Sequence, residues 1–135
     1  MNVLLDASAL MSVLIDEPEK EHIVTITKDY ELIAPSILPY EIGNALTRLK
    51  KRQILTSRQI MMAYKEFLRI PLRFMDVNIE EALQIACKYS IYAYDAYYLE
   101  MASRLNLPLL TLDVQMKKVA ADLRVRILEG IHEGL

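Results

Sequence analysis

Four acidic residues stand where the chain has little structural need for a charge. In residues 91–107, IYAYDAYYLEMASRLNL, apolar positions recur at the three-and-four spacing of a helix with one buried face. Asp95 sits on that face, because at 100° per residue Tyr98, Leu99, Ala102 and Leu105 all fall within about 80° of it. Tyr97, Glu100 and Arg104 form the expected polar side. Glu41 is set in the same way in a helix expected from about Ser36 to Arg52. It falls between Ile37 and Ala45, against a stripe of Leu38, Ile42, Ala45, Leu46 and Leu49, with Asn44 one turn on. An unpaired inward carboxylate costs several kcal/mol or takes up a proton, so something has to hold the charge. Asp6 and Asp113 each close an apolar run, NVLL and LPLLTL. Helix capping alone accounts for these two equally well, but capping does not require that Glu41 and Asp95 point inward.

Four clustered carboxylates with no lysine nearby repel one another, and one or two divalent cations remove the repulsion. All-oxygen donors suit Mg²⁺ or Mn²⁺ rather than Zn²⁺. The two histidines, His22 on an expected surface helix and His132 in the C-terminal tail, do not read as ligands. A site of this kind is equipped to polarise a phosphodiester and to activate water for in-line attack. The net charge of −2 argues weakly against a nucleic-acid substrate, yet two bound divalent cations would bring it to about +2.

The elements that must position these acids alternate along the chain. Strands are expected at 2–5, 31–35, 72–77, 107–113 and 125–128. Helices are expected at about 8–15 with Ser8 as cap, 18–29, 36–52, 57–69 after Thr56 or Ser57, 78–89 after Asn78, 91–107 and 114–122. This order predicts a three-layer α/β/α fold around a mostly parallel sheet of about five short strands. Asp6 and Asp113 then lie at the carboxyl edge of the sheet, where ligands bind in such folds, and Glu41 and Asp95 can face the same crevice.

With 135 residues, 53% hydrophobic and 25% charged, and no linker-like stretch, residues 1–135 read as one domain. A secretory leader before the first strand is not expected from its residues. The longest uncharged apolar run near it, ASALMSVLI, is far below the ~20 residues needed to cross a bilayer, so no membrane association is expected. Cys87, among Ala82, Leu83 and Ala86, reads as core packing. As a single cysteine it has no internal partner, which suits a reduced, cytoplasmic location.

Asp6 with Ser8 two residues on, Glu41 within PYEIGNAL, Asp95 within YDAYYLEMA and Asp113 in LLTLD together resemble the PIN-domain ribonucleases, and most closely the VapC-type toxins of toxin–antitoxin pairs. The resemblance covers nearly the whole chain. It implies a Mg²⁺- or Mn²⁺-dependent endoribonuclease acting on RNA and inhibited by a cognate antitoxin protein. Asp6, Glu41, Asp95 and Asp113 would be the catalytic, metal-ligating acids, with Ser8 and Thr111 as hydroxyls near the metal or orienting a ligand. Asn44 would act behind them at most, and an exposed helical amide explains it as well. The family commonly forms homodimers. Met61 and Met62, with Tyr64 and Phe67, give one helix more apolar surface than a single buried stripe needs, which points to a second copy or an antitoxin.

Other readings fit less well. A phosphoacceptor receiver domain wants paired acids after the first strand, where Leu5 precedes Asp6, and a lysine after the last, where Glu129 stands. A haloacid-dehalogenase-type phosphatase wants Asp-x-Asp, and the third position is Ser8. An inactive PIN-like interaction module is the remaining alternative, and it needs no metal. Tyr40, Tyr89, Tyr92, Tyr94, Tyr97 and Tyr98 could stack on RNA bases, although core or interface packing is the commoner fate of tyrosine. Arg48, Lys50, Lys51 and Arg52 could follow RNA phosphates or form a solvated helix end.

Overall fold

A computed structural model describes residues 1–129; the tail with His132 lies outside the described residues. Four short strands, β1 (Asn2–Leu5), β2 (Glu31–Pro35), β3 (Leu72–Met75) and β4 (Leu109–Leu110), form a sheet in the order β3-β2-β1-β4. Every pairing is parallel. The apolar run of β1 is buried at Val3, Leu4 and Leu5, as a central strand covered on both faces requires.

The connections are helical: α1 (Ala7–Leu14) and α2 (Lys20–Thr27), α3 (Leu38–Lys51) and α4 (Ser57–Arg69), then α5 (Ile79–Tyr89) and α6 (Ala93–Leu105), with α7 (Val114–Asp122) last. From β1 to β3 the chain steps one way across the sheet, and β4 returns to the far side of β1. Right-handed crossovers therefore send α1–α4 to one face and α5–α6 to the other. Packing agrees: α1 touches α2, α3 and α4, while α6 touches α5, α7, β2 and β4. The expected α/β architecture is the one observed, with Thr56 and Asn78 capping α4 and α5 as predicted.

Several local expectations are corrected. The fifth strand, 125–128, reduces to one parallel bridge between Leu109 and Ile127, because β4 offers only two residues to pair with. β4 is short because the next backbone donors leave the ladder: Leu112 N–H bonds the Ser8 hydroxyl and Asp113 N–H the Thr111 hydroxyl. Asp6, not Ser8, caps α1, since its Oδ1 already accepts Ala9 N–H at 3.0 Å. Cys87 is exposed, one position off the buried Ala82–Ala86 stripe of α5. Glu100 is buried, because α5 covers the side of α6 expected to be polar. On α4, Phe67 joins the core while Met61, Met62 and Tyr64 stay exposed.

Candidate active site

The carboxyl edge of the sheet gathers side chains from four connections. Asp6 leaves the end of β1, is only 3% exposed, and is held by three donors. Ser8 Oγ donates to Oδ1 at 2.7 Å, Ala9 N–H to the same oxygen, and Thr111 Oγ1 makes a short bond to Oδ2. Each of these hydroxyls also accepts a backbone N–H from the connection after β4, Ser8 from Leu112 at 3.0 Å and Thr111 from Asp113 at 3.1 Å. Ser8 and Thr111 thus clamp the ends of two adjacent strands around one carboxylate. Burial raises the Asp6 pKa; the bonds from Thr111, Ala9 and Ser8 oppose that, and the nearby Asp113 charge adds to it.

Glu41 lies in the first turn of α3 and is half-buried. Its Oε1 accepts the Tyr98 hydroxyl at 2.7 Å. Burial pushes its pKa up to about 7, against the Tyr98 hydrogen bond and with the added repulsion of Asp6 and Asp95. Tyr98 is buried on α6, and its phenol is driven strongly upward by that burial and by the Glu41 charge.

Asp95, in the first turn of α6, is half-buried, and its carboxylate has no hydrogen-bond partner among the described residues. Its pKa is raised by burial and then by the charges of Asp113 and Asp6. Asp113 caps α7, accepting Met116 N–H at 3.0 Å, so capping holds for it as it does for Asp6. Asn44 is exposed one turn beyond Glu41, and its side chain bonds nothing among the described residues.

One negative field therefore joins Asp6, Glu41, Asp95 and Asp113. Among the described residues the ion pairs lie elsewhere, at Lys20–Asp16, Arg69–Glu66, Arg104–Glu100 and Lys117–Glu129. No lysine or arginine quenches the four. No three of the described acids, histidines or cysteines are drawn into a ready-made metal cage either. The donor set itself, carboxylate oxygens alone, is of the kind that suits a small hard cation.

Tyr98 is the side chain that sequence reasoning missed. It falls on the same helical face as Asp95, and a buried phenol needs a partner. The inward Glu41 needed a donor, so the two demands could have been matched.

A family model described as the PIN domain matches residues 3–122. Ribonuclease VapC3 of Pyrobaculum aerophilum is 26% identical over 121 residues, covering 86% of this chain and 92% of that protein. Among solved structures, PAE2754 from Pyrobaculum aerophilum superposes with a TM-score of 0.68 at 22% identity, covering 92% of this chain and 90% of the other. VapBC2 from Rickettsia felis, solved bound to a DNA fragment from its promoter, gives a TM-score of 0.65 at 15% identity, with 94% and 97% covered.

Proposed function

The chain belongs to the PIN domain family, and from that premise we propose that it is a Mg²⁺- or Mn²⁺-dependent endoribonuclease, the toxin of a toxin–antitoxin pair. The carrying observation is the set of four mutually repelling carboxylates with no cation among the described residues to quench them. The similarity to a VapC ribonuclease supports RNA as substrate, and the likeness to a VapBC assembly supports an antitoxin partner.

In this reading Asp6, Glu41, Asp95 and Asp113 hold the cation, directly or through its water. When bound, the cation would supply charge neutralisation at the phosphodiester and a lower pKa for the attacking water. The protein's own part is positional. Ser8 and Thr111 fix Asp6, Tyr98 fixes Glu41 Oε1, and Asp95 offers oxygens that no described side chain has claimed. Hydrolysis then forms one water-oxygen bond to phosphorus, breaks the bond to one ribose oxygen, and returns a proton to that leaving oxygen.

The same reading takes residues 1–135 as one domain acting in the cytoplasm. No described helix is long and apolar enough to cross a membrane. A homodimer, or the antitoxin, would cover exposed Met61, Met62 and Tyr64 on α4. The test is cleavage of structured RNAs by the purified chain, free of partner, in Mg²⁺ or Mn²⁺. Cleavage is expected to vanish with chelator and in Asp95→Asn. Activity that survives both removes the proposal.

A further inference from the structure

Beside Glu41 a recess of about 230 Å³ opens between α3 and the start of α6. Its α3 side is a single helical stripe, Ile37, Glu41, Asn44 and Arg48, spaced by four, three and four residues. Tyr40 joins from the same helix and Tyr94 from α6. The two tyrosines are 74% and 53% exposed. Among the described residues neither phenol, nor the Asn44 amide, nor the Arg48 guanidinium has a hydrogen-bond or ion-pair partner. Tyr94 is edge-on to Tyr97, with ring centroids 5.9 Å apart, which leaves the Tyr94 ring braced rather than loose.

A recess offering two aromatic rings, one amide and one guanidinium, with a carboxylate of the acidic cluster in its lining, matches the parts of a nucleotide. Aromatic faces stack on any base, an amide pairs with a base edge, and a guanidinium takes a phosphate. Arg48 lies seven residues beyond Glu41, or ~10 Å along the helix axis. It begins the basic end of α3, which continues through Lys50, Lys51 and Arg52. That gradient, from acids that need a cation to unpaired bases, suits a polyanionic strand better than an apolar peptide.

We infer that this recess receives an unpaired base of the RNA next to the scissile phosphate, stacked by Tyr40 and Tyr94, with Asn44 at its edge and Arg48 on a neighbouring phosphate. The inference rests on the nuclease reading and adds the subsite that selects single-stranded over paired RNA, since a base within a duplex cannot enter the recess.

The experiment uses an RNA hexamer carrying one 2-aminopurine, bound in Mg²⁺ to the full chain in a cleavage-disabled Asp95→Asn background. Stacking should quench the probe, and Tyr40→Ala or Tyr94→Ala should weaken binding ~5- to 100-fold and lift the quench. Tyr94→Phe, which keeps the ring, should restore both. Arg48→Ala should weaken binding and lower the steepness of its salt dependence by about one phosphate contact. Val24→Ala, on the exposed side of α2, should change nothing. In parallel, with Asp95 intact, the tyrosine substitutions should act on KM more than on kcat. Unchanged affinity and quench in the Tyr40 and Tyr94 variants, while the unmodified chain still cleaves, would overturn the subsite and leave the nuclease standing. An unmodified chain that neither binds nor cleaves RNA overturns both. Altered oligomer size by light scattering, with RNA affinity unchanged, would give the rings to a protein interface and overturn the subsite.

Discussion

Asp95 and Glu100 lie five positions apart on α6, and the fold provides for them in opposite ways. Glu100 is 3% exposed and fully paired: Arg104 Nε donates to Oε2 at 2.7 Å and Asn78 N–H to Oε1 at 2.9 Å. Arg104 also reaches the Asp76 carbonyl at 3.0 Å, so the pair pins the connection from β3 to α5 onto α6. Asp95 is half-buried beside two more carboxylates and receives no donor among the described residues. A carboxylate that the protein neutralises itself is part of the scaffold. One left in a negative field is available to something brought from outside.

Exchanging each acid for its amide should separate the two roles most sharply. Asp95→Asn is expected to lower RNA cleavage by about 10²-fold or more, the scale of losing one group that stabilises a transition-state charge. Its metal-free melting temperature should stay level or rise, because the substitution relieves repulsion and breaks no hydrogen bond. A clear drop in melting temperature with cleavage retained would make Asp95 structural and undo the contrast. Glu100→Gln should do the reverse. Losing a charged acceptor that serves both Arg104 and Asn78 is expected to cost about 1–3 kcal/mol in denaturant unfolding, with cleavage per folded molecule close to normal.

This contrast also marks how far the sequence could be read. Helical periodicity fixes direction, so the inward setting of Glu41 and Asp95 was legible from Ile37, Ala45, Tyr98 and Leu99. Strand ends at Asp6 and Asp113 were legible from the apolar runs before them. Glu100 was not, because its burial depends on α5 lying across α6, a tertiary fact written in the small residues Ala82, Ala86 and Ala96 of two different helices. From sequence Ser8 reads as a cap or as a hydroxyl near a metal, for the same reason. Its actual work is to bridge Asp6 to Leu112, which lies 104 positions beyond Ser8 itself. The strand expected at 107–113 failed where Ser8 and Thr111 took up the backbone donors that a ladder would have used.

The cleft should also differ from ordinary paired carboxylates in the sign of its pH dependence. Glu41 ionises near 4.5 when unfolded and near about 7 when folded and metal-free. Between those values the folded chain holds the extra proton, so stability is full below about pH 4.5 and falls as pH rises through about 7. Asp6 and Asp95, both raised from 3.8, act in the same direction. Chemical denaturation across pH 4–8 in chelator should show this decline, and Glu41→Gln should flatten it. A stability that rises over that range would mean the carboxylates are quenched by the protein after all. Mg²⁺ should weaken the decline and release protons on binding, seen as a buffer-dependent heat in calorimetry.

The smallest expected effect tests the hydroxyl between the two classes. Tyr98 belongs to the buried core of α6, yet its phenol donates to Glu41 Oε1 at 2.7 Å. That bond favours the ionised carboxylate and partly offsets what burial and Asp6 and Asp95 do to it. Tyr98→Phe keeps the ring and the packing and removes only the donor. Glu41 should then ionise above about 7 in the metal-free chain, and Mg²⁺ binding should need a higher pH to reach the same affinity. Cleavage should follow, with the acidic limb of its pH profile moved upward and the plateau little changed. Loss of unfolding stability should stay near the ~1 kcal/mol of one hydrogen bond. An unmoved titration by NMR of labelled glutamate, alongside that same stability loss, would place Tyr98 with Glu100 as scaffold.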